Sequence, residues 1–339
     1  ACVMPRISTA IDGRWQRVWL REVAGSNPVA PTPSVREGVQ VMAARTSPVV
    51  VLDGGLSNAL ADRGHDLTDE LWTARLLRDA PGEIAAVHRT YFEAGAQVAT
   101  TASYQASVGG FERAGMARAE AEALIRRSVT IAREARDEAA ATAGDRAVRL
   151  VAASVGPYGA VLADGSEYRG RYGMTRNALR DFHGPRMELL VSAGPDLLAL
   201  ETIPDLDEVS VLLDLAEELG TLGLLSCTVA GDRLRDGRPA AEAFVLAADR
   251  EHILAVGVNC CTPDDALPAV RAAVAASGKP AVVYPNSGET WDGAGRRWIG
   301  EPGFDAALTG SWADAGARFI GGCCRVGPAA IAEIARTIG

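Results

Sequence analysis

The sequence predicts a single-domain (β/α)₈ barrel on the basis of three observations. Short runs rich in Val, Leu and Ile recur eight times between residues 49 and 322. Segments with helical spacing of apolar residues separate them, and this alternation is typical of a parallel sheet. Eight such strands in about 290 residues favour a closed barrel over an open doubly wound sheet, which typically uses fewer strands. The open sheet is the structural alternative.

Each predicted strand is a continuous apolar run, as expected where a parallel sheet is covered on both faces. The eight runs span residues 49–53, 97–101, 148–155, 196–202, 222–228, 253–259, 281–286 and 318–322. Residues 118–141 illustrate the intervening helices, because Leu124, Ile125, Val129 and Ala132 fall on one stripe of a helix.

The first 45 residues differ from the rest of the chain. Residues 25–38, GSNPVAPTPSVREG, are rich in Pro, Ser and Gly, and no helical or strand periodicity is sustained before Thr46. We therefore predict a disordered leader over residues 1–45 and the barrel over residues 46–339. A further hypothesis is that the leader is not native coding sequence and that translation begins at Met42.

The charge balance and hydropathy pattern exclude several classes of partner. The net charge is −9, and no local run of Lys and Arg reverses it, so nucleic acid is not an expected partner. No apolar stretch is long enough to span a membrane, and the N-terminus lacks a secretory pattern. We predict a cytoplasmic protein that does not bind membranes. The oligomeric state is left open.

Six cysteines are too few for a disulfide scaffold in a chain of 339 residues, and a reducing compartment would keep them as thiols. Four of the six form two adjacent pairs, Cys260 with Cys261 and Cys323 with Cys324. Adjacent cysteines rarely bridge each other, because the ring they would close is strained. This clustering therefore indicates a metal site or thiol chemistry.

Polar and thiol residues follow the predicted strands where the strands end. In a (β/α)₈ barrel these C-terminal ends converge on one mouth, which is where such barrels carry their chemistry. The residues concerned are Asp53, Thr101, Glu201, Asn259, Cys260, Tyr284, Asn286, Cys323 and Cys324.

Cys260, Cys323 and Cys324 could supply three sulfur ligands to zinc, with the fourth position left for substrate. Gly321 and Gly322 would let the backbone turn so that both neighbouring thiols face the metal. The alternative is that the pair is simply packed in the core, as free cysteines often are. Cys261 should point away from the mouth, and Cys227 is expected in the core.

Seven motifs, in order, resemble those of the homocysteine S-methyltransferase family, and the likeness spans residues 46–339. The motifs are VLDGGLSNALADRGHDL (51–67), TTASYQAS (100–107), SVGPYGAVLADGSEYRGRYG (154–173), ALETIPDLDEV (199–209), VGVNCC (256–261), YPNSGE (284–289) and GGCCR (321–325).

The resemblance implies a (β/α)₈ barrel that binds Zn²⁺ through Cys260, Cys323 and Cys324. It also implies that Asp53, Gly54 and Glu201 hold the amino acid part of L-homocysteine. A carboxylate can bind the substrate ammonium, and the backbone N–H groups of a glycine turn can bind its carboxylate. The alternatives are a solvated turn or helix cap for Asp53 and a structural ion pair for Glu201.

The implied reaction is zinc-dependent transfer of a methyl group from a sulfonium donor to the homocysteine thiol. The motifs look most like those of members that use S-methylmethionine, with S-adenosylmethionine as a second donor. The loop over residues 156–173 carries Tyr158, Tyr168 and Tyr172, which could close over the mouth and face a sulfonium; a mobile loop without that role is the alternative. Further candidates for substrate contact are Thr101, Tyr104, Gln105, Asn286, Ser287 and Glu289.

One departure from the family pattern is CCRVGP at residues 323–328, where relatives commonly have Cys-Cys-Arg-Thr-Thr-Pro. It leaves the expected ligands intact but removes two hydroxyls near them.

His88 is expected to be a packing or surface residue, and the other histidines form no constellation. Two alternatives to the leading function are a preference for selenocysteine as acceptor and a non-catalytic zinc-binding barrel that senses thiols.

Overall fold

The computed structural model describes residues 48–67, 71, 73–145, 147–292, 297–301 and 303–338. The predicted leader and the hypothesis of a start at Met42 lie outside the described residues.

The described part of the chain contains twelve strands, of which eight form one parallel barrel. In chain order they are β1 (Val50–Val51), β2 (Val98–Thr100), β3 (Leu150–Val155), β4 (Leu197–Ile203), β5 (Gly223–Cys227), β6 (Val229–Ala230), β7 (Arg233–Leu234), β8 (Ile253–Asn259), β9 (Ala281–Tyr284), β10 (Thr290–Asp292), β11 (Arg297–Ile299) and β12 (Ala317–Ile320).

The eight parallel strands lie in the order β1-β12-β9-β8-β5-β4-β3-β2. A parallel bridge between Leu52 and Val98 joins the two ends of this sheet, so the barrel closes. The predicted (β/α)₈ barrel is therefore confirmed, and the open doubly wound sheet is excluded. Each predicted apolar run overlaps one of these eight strands, and only β4 and β12 extend beyond their runs, by one residue each.

Alternation along each strand explains why the runs are apolar throughout. In β3, Leu150 and Ala152 belong to an apolar cluster formed by alternate residues of the barrel strands. Val151 and Ala153, between them, pack in the larger cluster shared with the helices. Because successive side chains of a strand point to opposite faces, both faces of the barrel wall are buried and both must be apolar.

Twelve helices occur within the described residues. They are α1 (Leu56–Asp62), α2 (Thr73–Asp79), α3 (Pro81–Glu93), α4 (Val108–Arg113), α5 (Arg118–Ala143), α6 (Tyr158–Leu162), α7 (Arg176–Ser192), α8 (Leu206–Glu218), α9 (Ala240–Leu246), α10 (Pro263–Ser277), α11 (Leu308–Asp314) and α12 (Pro328–Ile338). A 3₁₀ turn at Ser166–Tyr168 follows α6. No described helix is apolar over enough of its length to cross a bilayer.

Helix α5 is close to its prediction, since it begins at the predicted residue and ends two residues later. Its stripe of Leu124, Ile125, Val129 and Ala132 is buried. The helix stops at Gly144, whose left-handed backbone conformation forms the C-terminal cap. His88 is buried within α3, which confirms its predicted packing role.

Two hairpins were not predicted from the sequence. Strands β6 and β7 pair antiparallel directly after β5, and β10 pairs with β11 after β9. Strands of two or three residues are too short to show a recognisable alternation of apolar and polar residues. Both hairpins follow the C-terminal ends of barrel strands, so they contribute to the mouth.

Candidate active site

Three cysteine sulfurs meet at the barrel mouth. The Sγ atoms of Cys260, Cys323 and Cys324 all lie within 4.8 Å of one another. Cys260 directly follows β8, and the other two cysteines follow β12, the strand on the far side of β9. The closed barrel thus brings together residues that are more than 60 positions apart in the chain.

Cys260 and Cys323 are joined as a disulfide in this structure, with their Cα atoms 5.7 Å apart. The fold thus places the two side chains in contact, and that a reducing compartment keeps them as thiols stays a prediction. Cys324 is free, so the adjacent cysteines do not bridge each other, as predicted. Reduction of the disulfide would make all three sulfurs available as ligands.

The backbone turn that aims Cys260 lies at Cys260 itself. Its φ is 49°, in the left-handed region that non-glycine residues adopt mainly under tertiary constraint. Gly321 and Gly322 do not have positive φ, so the predicted turn before the cysteine pair does not use a left-handed glycine. Instead they allow close packing: a Cβ on Gly321 would lie 2.6 Å from the Cβ of Leu52, and one on Gly322 would overlap Val326.

The other two cysteines of the barrel lie where they were predicted. Cys261 and Cys227 are buried in the main apolar cluster. Burial raises the pKa of the Cys261 thiol to about 12, so this residue is a neutral core side chain. The left-handed turn at Cys260 thus lets the sulfur of Cys260 lie at the mouth while the sulfur of Cys261 lies in the core.

The donor set fits a thiophilic metal such as zinc. Zinc binds thiolates in tetrahedral sites, and catalytic zinc sites commonly use three protein ligands. Among the described residues this cluster contains three potential ligands and not a fourth. Burial raises the pKa of the Cys324 thiol to about 11, and coordination to a metal is the established way to deprotonate such a thiol.

Two buried carboxyl groups lie beside the sulfur cluster. Asp53 follows β1, and its Oδ2 and Oδ1 accept hydrogen bonds of 2.7 and 2.9 Å from the backbone N–H and the hydroxyl of Thr100. Glu201 in β4 accepts hydrogen bonds from the hydroxyls of Ser154 and Tyr284. Both carboxyls are thus held by the barrel wall at fixed positions.

The electrostatics of this pair favour a bound cation. Burial, followed by the charge of Glu201, raises the pKa of Asp53 to about 8, although Thr100 opposes the shift. Burial also raises the pKa of Glu201. Among the described residues, both carboxyls are held by neutral hydrogen-bond donors and not by a cation, so the predicted alternative of a structural ion pair for Glu201 is not observed. An ammonium group placed between them would favour the ionised form of both.

The remaining predicted contacts occupy the rim and wall of the mouth. The Thr101 hydroxyl is held by Ser103 and the backbone of Ser154. Gln105 is buried; its amide donates to Ala160, and its Oε1 has no partner. Asn286 accepts a hydrogen bond of 3.1 Å from the backbone N–H of Cys324.

Three further candidates are also tied to neighbours. Gly54 lies under Val326, whose carbonyl oxygen a Cβ at this position would overlap. The backbone carbonyl of Tyr104 accepts a hydrogen bond from Arg186, and its ring packs against Gly156. Ser287 and Glu289 bond to each other, and Arg325 forms an ion pair with Glu289.

The three tyrosines of the loop over residues 156–173 have different environments. Tyr158 and Tyr172 pack edge to face at 5.5 Å, and Tyr158 also packs against Phe182. These two rings therefore anchor the loop to α7. Tyr168 is different, because it lies in the 3₁₀ turn Ser166–Tyr168, where burial raises the pKa of its hydroxyl well above the ordinary value.

Glu167 and Arg235 are charged residues near the mouth that the sequence analysis did not select. Glu167 is only 3% exposed, and its Oε2 has no hydrogen-bond partner. Arg235 follows β7, and its Nε is likewise buried without a partner. Glu167 lies in the SEYRG segment next to Tyr168, and this position was the sequence signal that could have identified it. Arg235 lies in a hairpin that was not predicted.

The departure from the family pattern at Val326 has a packing explanation. Val326 is 1% exposed and lies against Gly322, and its carbonyl oxygen accepts a hydrogen bond from the Tyr91 hydroxyl. The valine therefore fills space directly behind the two cysteines that follow β12.

Comparison with known proteins agrees with this geometry. The family model described as homocysteine S-methyltransferase matches residues 50–338. The chain belongs to the homocysteine S-methyltransferase family. It is 44% identical over 298 residues to homocysteine S-methyltransferase YbgG of Bacillus subtilis, covering 86% of this chain and 94% of that one. It is 45% identical over 304 residues to homocysteine S-methyltransferase 4 of Zea mays, covering 85% and 89%.

A solved relative shares the barrel. The crystal structure of the homocysteine methyltransferase MmuM from Escherichia coli in its metallated form matches with a TM-score of 0.80 and 39% identity. The match covers 89% of this chain and 99% of that one. The oxidized form of the same protein matches with a TM-score of 0.78. The predictions of the family and of a methyltransferase are thereby confirmed.

Proposed function

We propose that this protein transfers a methyl group from a sulfonium donor to the thiol of L-homocysteine, with zinc as cofactor, and so forms methionine. The observation that carries this proposal is the position of three cysteine sulfurs beside two buried carboxyls at one barrel mouth. The sulfurs suit a metal that activates a thiol, and the carboxyls suit the ammonium of an amino acid.

Asp53 and Glu201 would orient the acceptor. Both are buried, and each is held by hydrogen bonds that leave its charge without a cationic partner. A substrate ammonium would supply that partner through charge-assisted hydrogen bonds. The substrate thiol would then be directed toward the cysteine cluster.

Cys260, Cys323 and Cys324 would hold the metal as thiolates once the disulfide is reduced. Zinc bound there would favour the thiolate of a coordinated substrate thiol at neutral pH, where a free thiol with a pKa of roughly 8.5 is mostly protonated. None of the four histidines belongs to the cluster, so the described residues offer no imidazole base for this deprotonation.

The transfer balances without a further reactant. The homocysteine thiolate sulfur bonds to the methyl carbon, while the bond from that carbon to the sulfonium sulfur breaks. Its electron pair stays with the donor, which leaves as a neutral thioether. The proton of the homocysteine thiol goes to solvent, and the negative and positive charges of the reactants cancel.

A thiol-sensing role is less well supported than catalysis. A structural zinc site is normally closed by a fourth protein ligand, whereas the cluster in the described residues contains three. An open position is what a substrate thiol requires. Cytoplasmic location remains a prediction from composition.

The proposal is tested by measuring methionine formation by the reduced, zinc-loaded protein with homocysteine and each of S-methylmethionine, S-adenosylmethionine and betaine. Metal content is measured on the same sample. We expect turnover with a sulfonium donor and about one zinc per chain. Bound zinc without turnover from any donor would instead support a structural or sensing role. Competition between homocysteine and selenocysteine then establishes the preferred acceptor.

A further inference from the structure

A second set of unpartnered charged atoms lies in the loops of the barrel mouth, apart from Asp53 and Glu201. Oε2 of Glu167 and Nε of Arg235 are both buried without hydrogen-bond partners. Leaving such a buried polar group unsatisfied costs free energy, and a site that uses these groups only when a ligand is bound explains the arrangement.

These two residues belong to segments that pack against each other at the mouth. Glu167 lies in the 3₁₀ turn Ser166–Tyr168, and Arg235 lies in the turn after β7. A Cβ on Gly170 would be 3.1 Å from the Cβ of Asp236, so the backbones of the two segments are in close contact. The backbone N–H of Asp236 also bonds to Pro204, directly after β4.

The end of β4 connects these segments to the cysteine cluster. A Cβ on Gly170 would lie 3.2 Å from the carbonyl oxygen of Pro204, which directly follows β4. Within β4, the backbone N–H of Thr202 donates to Asn259, whose Nδ2 lies 4.0 Å from the Sγ of Cys323. Both loops therefore lie over the strand end that borders the cysteine cluster.

We propose that Glu167 and Arg235 bind the amino acid head group of the methyl donor, Glu167 through the ammonium and Arg235 through the carboxylate. This inference rests on the proposed function and extends it to the donor. Two methylene groups separate the sulfur from the α-carbon in S-methylmethionine. A head group held by these two loops thus lets the sulfonium reach toward the cysteine cluster, where the acceptor sulfur must lie.

The arrangement gives the two substrates separate head-group sites at one mouth. Asp53 and Glu201 lie in the barrel wall after β1 and in β4, whereas Glu167 and Arg235 lie in the loops that follow β3 and β5. A zwitterionic donor would neutralise Glu167 and Arg235 together. A donor such as betaine, whose ammonium is quaternary and has no N–H group, would leave Glu167 without a hydrogen-bond partner.

The test compares two charge-removing variants with matched controls in the same loops. Glu167→Gln and Arg235→Gln each remove one charge from the proposed head-group site. Asp164→Asn removes an exposed carboxylate three residues before Glu167, and its amide oxygen can still accept from the backbone of Ser166. Arg233→Gln removes an exposed guanidinium two residues before Arg235.

With reduced, zinc-loaded protein, we expect Glu167→Gln and Arg235→Gln to raise the KM for S-methylmethionine roughly 10- to 100-fold. The KM for homocysteine and the zinc content should stay unchanged, and both controls should behave as wild type. Titration calorimetry with S-methylmethionine alone should show the same loss of donor affinity.

The two possible failures can be told apart. A wild-type protein that turns over S-methylmethionine while Glu167→Gln and Arg235→Gln keep their donor KM would overturn the head-group assignment alone. Absence of turnover in the wild type would contradict the proposed function. In that case the calorimetric titration decides the assignment, because unchanged or undetectable donor binding would overturn it.

Discussion

Tyr284 donates a hydrogen bond from its hydroxyl to Oε2 of Glu201, 3.0 Å away, although the two residues lie on strands that are not neighbours in the barrel. Ser226 lies 2.6 Å from the same hydroxyl. The carboxyl of Glu201 is therefore oriented by residues of β3, β5 and β9 together. This network makes Glu201 a fixed acceptor for a substrate cation.

Removing the Glu201 carboxyl should raise the KM for the acceptor, homocysteine, more than the KM for the methyl donor. We expect Glu201→Ala to raise the KM for homocysteine about 10- to 100-fold, because a charge-assisted hydrogen bond contributes roughly 1.5–3 kcal/mol. Tyr284→Phe should have a smaller effect in the same direction, since the carboxyl loses only one of its two orienting bonds. Steady-state kinetics with both substrates varied would measure this.

Tyr158→Phe serves as the control for Tyr284→Phe, because Tyr158 packs against aromatic rings away from Glu201. It should leave the KM for homocysteine unchanged. An unchanged homocysteine KM in Glu201→Ala would remove this residue from the site.

Asp53 should make the metal-free protein less stable as the pH rises. Its pKa in the fold is about 8, against 3.8 for its ordinary value, so the folded state binds the proton more tightly than the unfolded state. The resulting stabilisation is present below about pH 4 and is lost as the pH rises toward 8. Asp53→Asn should lack this dependence.

Denaturant unfolding of the two proteins between pH 5 and 8 measures the difference. We expect the free energy of unfolding of Asp53→Asn to rise relative to that of the wild type, by an amount on the order of 1–3 kcal/mol at the upper end of this pH range. Parallel curves for the two proteins would show that Asp53 titrates normally.

Each of the three clustered cysteines should be required for zinc. We expect Cys323→Ser to lose the metal and to abolish turnover while the barrel stays folded, because the remaining two sulfurs form an incomplete site. Metal analysis, circular dichroism and activity on one sample would measure all three properties.

Cys261→Ala is the matched control, since Cys261 neighbours Cys260 in the chain but lies in the core. It should keep its zinc and its activity. Full activity and metal content in Cys323→Ser would contradict the ligand assignment.

Gly257 in β8 should tolerate no side chain. A Cβ there would overlap the carbonyl oxygen of Val282 in the adjacent strand β9. We expect Gly257→Ala to lower the free energy of unfolding by about 1–3 kcal/mol or more. Displacement of β8 would also disturb Cys260, so metal binding should weaken.

Gly310→Ala is the comparison for Gly257→Ala, because no atom lies within 4 Å of a Cβ at this position in α11. It should raise the free energy of unfolding by about 0.5–1 kcal/mol through its better helix propensity. Thermal and denaturant unfolding of both variants would measure this contrast. Equal effects would show that the contact with Val282 does not constrain the barrel.

Much of the architecture could be predicted because it depends on periodicity. The eight apolar runs, the helical stripe at Leu124 and Ile125, and the burial of Cys227 and Cys261 follow from alternation within short stretches of chain. Residues that directly end strands, such as Asp53 and Cys260, could be assigned to the mouth because a parallel barrel gathers all strand ends on one side.

The sequence by itself thus determined the barrel, the family and the residues at the strand ends. Only the tertiary structure decided the disulfide of Cys260 with Cys323, the packing of Gly170 against Asp236, and the placement of Glu167 and Arg235. The first group depends on local pattern, which the chain carries residue by residue. The second depends on how loops from different strands pack over the mouth, and neither spacing nor periodicity encodes those distances.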